Sequence, residues 1–461
     1  MVKRRIKSAT IGMGGCLYAS LREFIATLKR EGLLLVVNRE VDPKFELNAV
    51  LRKIQAGPNL PVLFERVRGS RFPVISNTLG NYSIIARLLG VEIGSVAARW
   101  AELARPSSSA ILKEHAEEKA PLREISLSEI PHITYSEKDA GPYLTAGVII
   151  ARDPDTAVVN LSYHRMQIIG PHELRCRLST SGDLYRIQQK AEKRNDALPA
   201  VVAIGLPPAV MLAGGSTIGP DQSEYDLAAR ISGKRFPLVP SPTLGLPVPD
   251  STELVIEGKI LSGVRRPEGP FGEWMDYYVR TTDNHVFQVE HAFARPDAVF
   301  YGLSAGSVEE LAITAVPIAG SIYNSVRTWV PSIEDVSCLP LLQFCAIKIN
   351  KQFEGQQNRA IVAAFGAEMN RVLYCVVVDP DVDIHNPEDV LWAIATRCRP
   401  DTGVFRIPNV PSFARDPHKI HWGRLGIDAT KPLEHAADFE RKRVPGLDDI
   451  KLEDYLGKIA T

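Results

Sequence analysis

Apolar residues in the first quarter of the chain switch between helical and extended spacing. A helix over 20–31 is predicted by apolar residues at three- and four-residue intervals, namely Leu21, Phe24, Ile25 and Leu28. Ser20 precedes them as a candidate N-cap, and Glu23 is placed to complete a capping box. The pattern then predicts strands at 33–37, 62–67 and 73–76, and helices at 45–54, 82–89 and 95–104. This alternation indicates a small α/β domain.

Extended patterns dominate from about residue 144. Two apolar runs, 148–150 and 157–160, flank the turn sequence Asp153-Pro154-Asp155, which is typical of a hairpin. Further strands are predicted at 201–205, 253–260, 276–280, 285–290 and 299–303, with helices at 183–194 and 223–232. The middle of the chain therefore favours a barrel or a strongly curved sheet.

The pattern becomes helical again after Ser307 and then resumes its alternation. It predicts a strand at 342–349, a helix at 359–366, a strand at 372–378 and a helix at 387–397. From Pro400 onward there is little periodicity before a short helix near 434–442. We interpret this tail as an arm that packs on a neighbouring subunit.

A chain of 461 residues exceeds the usual size of a single core. We expect an α/β (α+β) protein with an extension at 1–18 and an N-terminal α/β domain at 19–115. A β-rich domain follows at 116–310, and a C-terminal α/β domain for oligomerisation occupies 311–461 together with its arm.

Composition points to a small-molecule partner. Lys plus Arg and Asp plus Glu are equal at 54 each, which argues against an extended nucleic-acid or anionic-membrane footprint. The six cysteines form no CxxC pair, so we expect reduced thiols in a cytoplasmic protein.

The basic start of the chain is followed by a short, glycine-broken apolar stretch, which we interpret as an extension rather than an export signal. Because no stretch approaches the ~20 apolar residues that span a bilayer, no membrane segment is expected.

Two carboxylates lie close together in the hexapeptide Glu268-Gly269-Pro270-Phe271-Gly272-Glu273. If both face a cleft, burial and mutual repulsion separate their pKa values, as general acid/base chemistry requires. The alternative is a solvated turn, because Gly and Pro mark turns everywhere. Trp274, Met275 and Tyr278 follow the hexapeptide and could wall a site for an aromatic or conjugated acid, although core packing explains them equally well.

Three other segments of the β-rich region could carry chemistry. Arg165 ends the stretch 160–165 and could grip a carboxylate or phosphate, or form a structural ion pair. The glycine-rich stretch 214–220 could cradle a phosphate with its N–H groups, although it lacks a complete nucleotide-binding motif. Glu224 begins the next helix, where it either complements the helix dipole or meets a divalent cation beside a phosphate.

Five segments, in this order, resemble the UbiD family of reversible decarboxylases. They are NLSYHR at 160–165, SEY at 223–225, PEGPFGE at 267–273, VDPDVDI at 378–384 and WAIATR at 392–397. The resemblance extends from about Ser20 to beyond residue 430. It implies that 116–310 is a split β-barrel that binds prenylated FMN, with the cofactor phosphate held through a divalent metal, Mn²⁺ or Mg²⁺, and K⁺.

The activity implied by the resemblance is reversible non-oxidative decarboxylation of an α,β-unsaturated or (hetero)aromatic carboxylic acid, through a covalent adduct between substrate and modified flavin. The chemistry agrees, because loss of CO₂ from an sp² carbon leaves an electron pair that no side chain can absorb. A flavin prenyltransferase would supply the cofactor. A homodimer or homohexamer is expected, and CO₂ concentration would set the direction.

The resemblance also assigns roles by position. Arg165 matches the arginine beside flavin and substrate carboxylate, Glu268 the acid paired with it, and Glu273 the proton donor, so that the three form a Glu-Arg-Glu network. Asn160 and Glu224 match two metal ligands. The residues implied to contact the cofactor are Asn160, Ser162, Tyr163, His164, Arg165, Ser216, Thr217, Ile218 and Glu224.

One position departs from the family. Thr180 stands where a histidine usually provides a third metal ligand, and a hydroxyl is a poorer ligand for Mn²⁺ than imidazole. Water could fill the place, or His172 could substitute. Two other functions stay open at this point, namely an FMN-dependent redox enzyme and a non-catalytic cofactor-binding paralogue. Hydride transfer has no obvious use for a Glu-Arg-Glu network, and the intact acid pair opposes the paralogue.

Overall fold

The computed structural model describes residues 18–105, 121–233, 237–411, 413, 422–450 and 454–455. Residues 1–17 of the predicted extension lie outside these ranges. The helices and strands below are numbered in chain order. Within the described ranges, no helix is both long and apolar enough to cross a membrane.

The N-terminal region alternates helices and short strands, as predicted. Its elements are α1 (Leu21–Arg30), β1 (Leu35–Val37), α2 (Glu46–Ala56), β2 (Val62–Phe64), β3 (Val74–Ser76), α3 (Tyr82–Leu88) and α4 (Val96–Leu103). The Ser20 side chain caps α1 by accepting a hydrogen bond from the Glu23 N–H at 3.0 Å. The predicted capping box is wrong by one residue, because the Glu23 carboxylate accepts from the Ala19 N–H instead of the Ser20 N–H.

A large curled sheet fills the middle of the chain. The elements up to the glycine-rich loop at 214–220 are β4 (Arg123–Glu124), β5 (Tyr143–Leu144), β6 (Val148–Arg152), β7 (Val159–Tyr163), β8 (Met166–Gly170), β9 (Glu173–Cys176), α5 (Asp183–Lys193), β10 (Leu198–Ile204) and α6 (Pro208–Ala213). After that loop come α7 (Glu224–Ser232), β11 (Leu238–Pro240), β12 (Pro247–Pro249), β13 (Leu254–Glu268), β14 (Phe271–Gly272), β15 (Tyr278–Val279), β16 (Thr282–Ala294) and β17 (Phe300–Tyr301). The predicted hairpin is confirmed as β6 and β7.

The order of strands explains the curvature of this sheet. Among the described residues, nine strands form it in the order β5-β8-β9-β16-β13-β10-β6-β7, with β4 attached to β16. The long strands β13 and β16 pair along most of their length, with two shifts in register. Such bulges bend and twist a sheet. The result is a half-barrel, which confirms the predicted curved sheet. Strand β17 was predicted within this β-rich region, but it pairs with β3 of the N-terminal sheet.

One long helix, α8 (Val308–Trp329), follows the half-barrel. The fully buried carboxylate of Glu309 in its first turn accepts hydrogen bonds from the N–H groups of Asn77 (2.6 Å) and Leu79 (2.8 Å) and from the Thr78 hydroxyl (3.0 Å). These contacts fix the start of α8 against the loop after β3. Further along, α8 packs in the core of the C-terminal region.

The C-terminal region is a second α/β unit. It contains β18 (Ile333–Ser337), β19 (Phe344–Ile349), α9 (Gln356–Ala367), β20 (Tyr374–Val378), α10 (Pro387–Arg397), β21 (Val404–Val410) and β22 (Trp422–Ala429). The predicted βα repeats are confirmed. The description of the tail as an aperiodic arm is wrong for 404–410 and 422–429, because β22 pairs with both β20 and β21 inside the sheet. The predicted short helix is a 3-10 helix over Leu433–Phe439.

The cores explain how the three regions hold together. One continuous apolar cluster joins the N-terminal region to the half-barrel and includes Phe24, Trp100 and Phe287. A second cluster lies between α8, α9 and the C-terminal sheet, and a third covers the other face of that sheet under α10. The architecture is thus a mixed α/β fold of three units around a half-barrel, as the sequence predicted.

Candidate active site

A cavity of about 520 Å³ lies beside the half-barrel. Its wall is shared by strand β7 and the residues just after it, the loop after α6, the middle of α8 and the turn between α9 and β20. Nine of the sequence-predicted site residues line it: Asn160, Ser162, Tyr163, His164, Arg165, Ser216, Thr217, Glu224 and Glu273. Glu268 lies behind this wall, and Ile218 packs against the large core. The fold therefore gathers residues that are separated by more than a hundred positions.

Arg165 follows β7 and joins the two acids. Its guanidinium donates from Nε to Glu268 Oε1 at 3.1 Å and from Nη2 to Glu268 Oε2 at 2.9 Å. The remaining Nη1 donates to Glu273 Oε1. Burial by itself would lower the pKa of Arg165, but Glu273 and Glu268 outweigh it and raise that pKa above its ordinary value. One cation thus links two carboxylates.

The two acids have different surroundings. Glu268 is fully buried and also accepts hydrogen bonds from the Tyr143 hydroxyl and the Asn284 amide, both at 2.9 Å. Burial, followed by the charge of Glu268, raises the pKa of Tyr143, which keeps that hydroxyl a donor. Glu273 instead faces the cavity. Glu268 is therefore an enclosed charge with four donors, whereas Glu273 is the acid that a ligand can meet.

The turn between the acids is built to aim both inward. Gly269 has a φ of 95°, a conformation that a side chain would strain. The Gly272 N–H donates to Asp139 Oδ1, and the Glu273 N–H donates to the Tyr277 carbonyl, each at 2.9 Å. The Phe271 ring lies 4.9 Å from the guanidinium of Arg165. The hexapeptide is consequently not a solvated surface turn.

Asn160 and Glu224 meet on the same side of the cavity. The Asn160 amide donates to Glu224 Oε1 at 3.3 Å, and the Leu161 N–H donates to Glu224 Oε2 at 2.8 Å. Burial raises the pKa of Glu224 to about 7, since the donors that oppose it are neutral. A cation beside this carboxylate would restore its charged form. The amide and carboxylate oxygens are the ligand types that hard divalent cations prefer.

His164 is oriented by its two neighbours. Its Nδ1 lies 3.0 Å from the Arg177 carbonyl oxygen, and its Nε2 lies 2.9 Å from the Ser162 hydroxyl. A carbonyl only accepts, so a neutral ring carries its proton on Nδ1 and Nε2 accepts from Ser162. The Ser162 oxygen also lies 3.2 Å from Asn160 Oδ1. Polar contacts therefore connect His164 to Glu224 through Ser162 and Asn160.

The glycine-rich loop after α6 closes another side of the cavity. Gly214, Gly215, Ser216 and Thr217 line it, and a Cβ on Gly215 would meet Ile313 of α8 at 2.4 Å. This close approach requires glycine. The predicted helix that follows is confirmed as α7, with Ser223 capping it.

Thr180, where the resemblance implies a histidine ligand, does not line the cavity. Thr180 is exposed, while Ser179 and Ser181 on either side of it line the cavity. His172 is exposed as well. Asp183, at the start of α5, is the nearest carboxylate along the chain that lines the cavity. In the parts of the chain that the structure describes, no group of three His, Cys, Asp or Glu side chains forms a metal site.

Sequence patterns did not reveal several residues of the site. Tyr143 and Asn284 carry no motif, and their partnership with Glu268 depends on strand pairing. Phe413 and Arg371 come from the C-terminal unit, which contributes to the cavity only through tertiary packing. Of the three predicted wall residues, Trp274 lines the cavity, Met275 packs against the C-terminal core, and Tyr278 is 41% exposed.

Sequence comparison identifies the family. Profiles of the UbiD family, described as 3-octaprenyl-4-hydroxybenzoate carboxy-lyase, match in three consecutive parts: the N-terminal domain at residues 25–104, the Rift-related domain at 109–308 and the C-terminal domain at 312–429. The chain belongs to the UbiD family of carboxy-lyases.

Individual relatives agree with this membership. The chain is 34% identical over 429 residues to the anhydromevalonate phosphate decarboxylase of Methanothermobacter thermautotrophicus, which covers 91% of this chain and 99% of the relative. The UbiD-class enzyme HmfF from Pelotomaculum thermopropionicum, solved in complex with FMN, is 35% identical and superimposes with a TM-score of 0.89 over 95% of this chain and 100% of HmfF. An evolved dimeric form of HmfF, solved with prenylated FMN, has a TM-score of 0.86 at 35% identity, with the same coverage of both chains.

Proposed function

We propose that this chain catalyses the reversible, non-oxidative decarboxylation of an α,β-unsaturated or (hetero)aromatic carboxylic acid with prenylated FMN as cofactor. The observation that carries the proposal is the placement of Arg165 between Glu268 and Glu273, with Glu273 facing the cavity. Family membership supports the reaction class, and the complexes of HmfF support a flavin.

The residues around the cavity fit such a cofactor. Its volume lies within the roughly 300–1,000 Å³ typical of cofactor and ligand sites. Ser162, His164, Ser216 and Thr217 offer polar groups, and Tyr163 offers an aromatic face. When bound, prenylated FMN would supply an electron sink, a capacity that no side chain has.

Asn160 and Glu224 would hold the divalent metal, Mn²⁺ or Mg²⁺, that neutralises the cofactor phosphate, with K⁺ nearby. The raised pKa of Glu224 supports this assignment, because a buried carboxylate with neutral donors gains most from an adjacent cation. Since Thr180 is exposed, we propose that water completes the coordination in place of the usual histidine.

The charges of the acid network suggest how a substrate is received. Arg165 is a positive charge beside the cavity that can receive a substrate carboxylate. Glu273 faces the same cavity and would hand a proton to the carbon that CO₂ leaves.

Glu268 has a supporting role in this scheme. Its four hydrogen bonds fix the plane of the Arg165 guanidinium, and the Phe271 ring packs against the same cation. Arg165 can therefore orient the substrate carboxylate without a change of rotamer. Preorganised charge of this kind is a large contribution to catalysis in enclosed sites.

A flavin prenyltransferase would have to supply the cofactor, because the proposed chemistry needs the prenylated form. We also propose a homodimer or homohexamer. The evolved dimeric form of HmfF supports self-association, since the chain shares its fold over nearly the whole length.

The test is coexpression with a flavin prenyltransferase, followed by absorbance and mass analysis of the bound cofactor and by CO₂ release from a panel of unsaturated, phenolic and heteroaromatic acids. Glu273→Gln should abolish CO₂ release while the cofactor stays bound. Glu290→Gln, at a partly exposed ion pair with Lys259, is the matched control and should keep its activity. A protein without flavin would refute the proposal, and undiminished turnover in Glu273→Gln would remove Glu273 as proton donor.

A further inference from the structure

Arg371 is one of three arginines, with Arg165 and Arg177, that line the cavity, and it lies on the wall that the C-terminal unit provides. It belongs to the turn between α9 and β20, and its side chain is 28% exposed. Its guanidinium lies 5.9 Å from the centre of the Phe413 ring. The cavity therefore contains a cation that has no part in the Glu-Arg-Glu network.

Aromatic side chains line the cavity beside Glu273 and beside Arg371. Trp274 directly follows Glu273, and its ring centre lies 5.8 Å from that of Phe413. Arg371 packs on Phe413 in turn. A flat conjugated molecule whose reacting end meets Glu273 would thus pass along Trp274 and Phe413 toward Arg371.

Arg165 and Arg371 differ in how much of their hydrogen-bonding capacity is already used. Arg165 donates from Nε, Nη1 and Nη2 to its two acids. Arg371 donates from Nη1 to Glu368 at 3.4 Å, and within the described ranges no other hydrogen bond from its guanidinium is found. A guanidinium has five N–H donors. Arg371 therefore keeps most of its donors for a ligand.

One carboxylate oxygen of Glu368 is used within its own turn, so only the other oxygen contacts the Arg371 guanidinium. Its Oε1 accepts hydrogen bonds from the backbone N–H groups of Asn370 at 3.0 Å and Arg371 at 3.1 Å. This cap fixes the turn and so the direction from which Arg371 enters the cavity. One positive charge beside one negative charge suits a singly charged carboxylate better than a phosphate, which carries nearly two charges.

We propose that Arg371 is a specificity residue that selects substrates with a second carboxylate, remote from the one that is lost. The inference rests on the proposed decarboxylation, since it takes the Arg165 end as the reacting end. It narrows the substrate class to conjugated dicarboxylic acids.

The test compares matched acids in which a methyl group replaces the second carboxylate: fumarate with crotonate, muconate with sorbate, and terephthalate with 4-methylbenzoate. Binding to the holoenzyme is measured by calorimetry, and CO₂ release is measured separately. In at least one pair the wild type should prefer the dicarboxylate, and Arg371→Gln should reduce that preference on the order of 10- to 100-fold. Arg371→Lys should retain part of it, because the charge remains without the planar fork.

Controls separate this role from others. Arg399→Gln removes an arginine whose side chain is 76% exposed and should leave the preference unchanged. Flavin content must be the same in Arg371→Gln as in wild type; loss of flavin would overturn the inference by assigning Arg371 to the cofactor. Equal binding of both members in every pair would also overturn it, even if CO₂ is released. A dicarboxylate preference that depends on Arg371 would support it, even if no acid were decarboxylated.

Discussion

Arg165 and Glu268 form a two-point ion pair in which Nε and Nη2 of the guanidinium lie 3.1 and 2.9 Å from the two carboxylate oxygens. Both side chains are at least nine-tenths buried. Loss of a buried, charge-assisted hydrogen bond costs more than loss of a surface ion pair.

We therefore expect Glu268→Gln to lower the free energy of unfolding by about 1–3 kcal/mol, since Glu273 still pairs with Arg165, and to reduce turnover at least ~100-fold. Chemical denaturation and CO₂ release measure the two effects. Glu173→Gln breaks the more exposed pair with Arg175 on β9 and should cost at most about 1 kcal/mol. Similar costs for the two variants would contradict a structural role for the buried pair.

The second prediction concerns Gly215. An alanine here would place its Cβ 2.4 Å from Ile313 Cγ2 and 3.1 Å from the Ile313 carbonyl oxygen, so the loop must move away from α8. We expect Gly215→Ala to lose flavin during desalting, as followed by absorbance. Gly219→Ala, whose nearest neighbour would be the Gln222 side chain at 3.7 Å, should retain it. Equal retention by both variants would show that the loop does not shape the cofactor site.

The third prediction concerns the metal. Glu224→Gln should lower both Mn²⁺ and flavin content, because the amide cannot supply the negative charge that a divalent cation needs. Asp226→Asn changes a carboxylate two residues further along α7 and should leave both contents unchanged. Elemental analysis measures the Mn²⁺ content, and absorbance measures the flavin content.

With Thr180 exposed, wild-type protein should also lose flavin on prolonged dialysis against EDTA. Complete retention of the cofactor after that dialysis would argue against a weakened metal site.

The fourth prediction concerns acid stability. Burial lowers the pKa of His285 to about 4, and its Nε2 lies 3.2 Å from Gln188 Oε1. An unfolded histidine titrates near 6.5, so between pH 6.5 and 4 the unfolded chain takes up a proton that the folded chain does not. His285 therefore leaves the free energy of unfolding unchanged above pH 6.5 and lowers it by about 3 kcal/mol as the pH drops from 6.5 to 4.

His285→Gln should therefore flatten the stability profile between pH 6.5 and 4, as measured by urea unfolding at a series of pH values. His435→Gln removes an exposed imidazole and serves as the control. An unchanged slope in His285→Gln would mean that other groups govern the acid limb.

Local patterns were sufficient to predict most helices and the strands of the βα repeats, because these elements depend on residues near in sequence. They failed for β21 and β22. Strand β22 contains Gly423 and Gly426, which dilute its apolar signal; a Cβ on Gly426 would meet Ile361 and Phe405 at 2.7 Å. Close packing around Gly426 leaves no room for a side chain there. Without an apolar side chain at this position, the sequence of β22 lacks the alternating pattern that predicts a strand.

The site shows the same division. The Glu268–Glu273 turn and the Asn160–Arg165 stretch are local motifs and could be recognised. Tyr143 lies 125 residues before Glu268 along the chain, and no spacing rule connects them. Arg371 was equally hidden, because its role depends on how the C-terminal unit meets the half-barrel. The additional partners of an acid such as Glu268 are brought to it by the order in which the strands and units pack. Local sequence patterns do not reveal that order.

Helix α8 begins with Glu309 bound to the loop after β3, passes the cavity at Ile313 and Pro317, and ends within the C-terminal core. Because α8 contacts the loop after β3, the cavity and the C-terminal core, we expect the three units to unfold together rather than one at a time. Heating should therefore leave the cavity intact until the described units melt together, and amide protons along α8 should exchange among the slowest in the molecule.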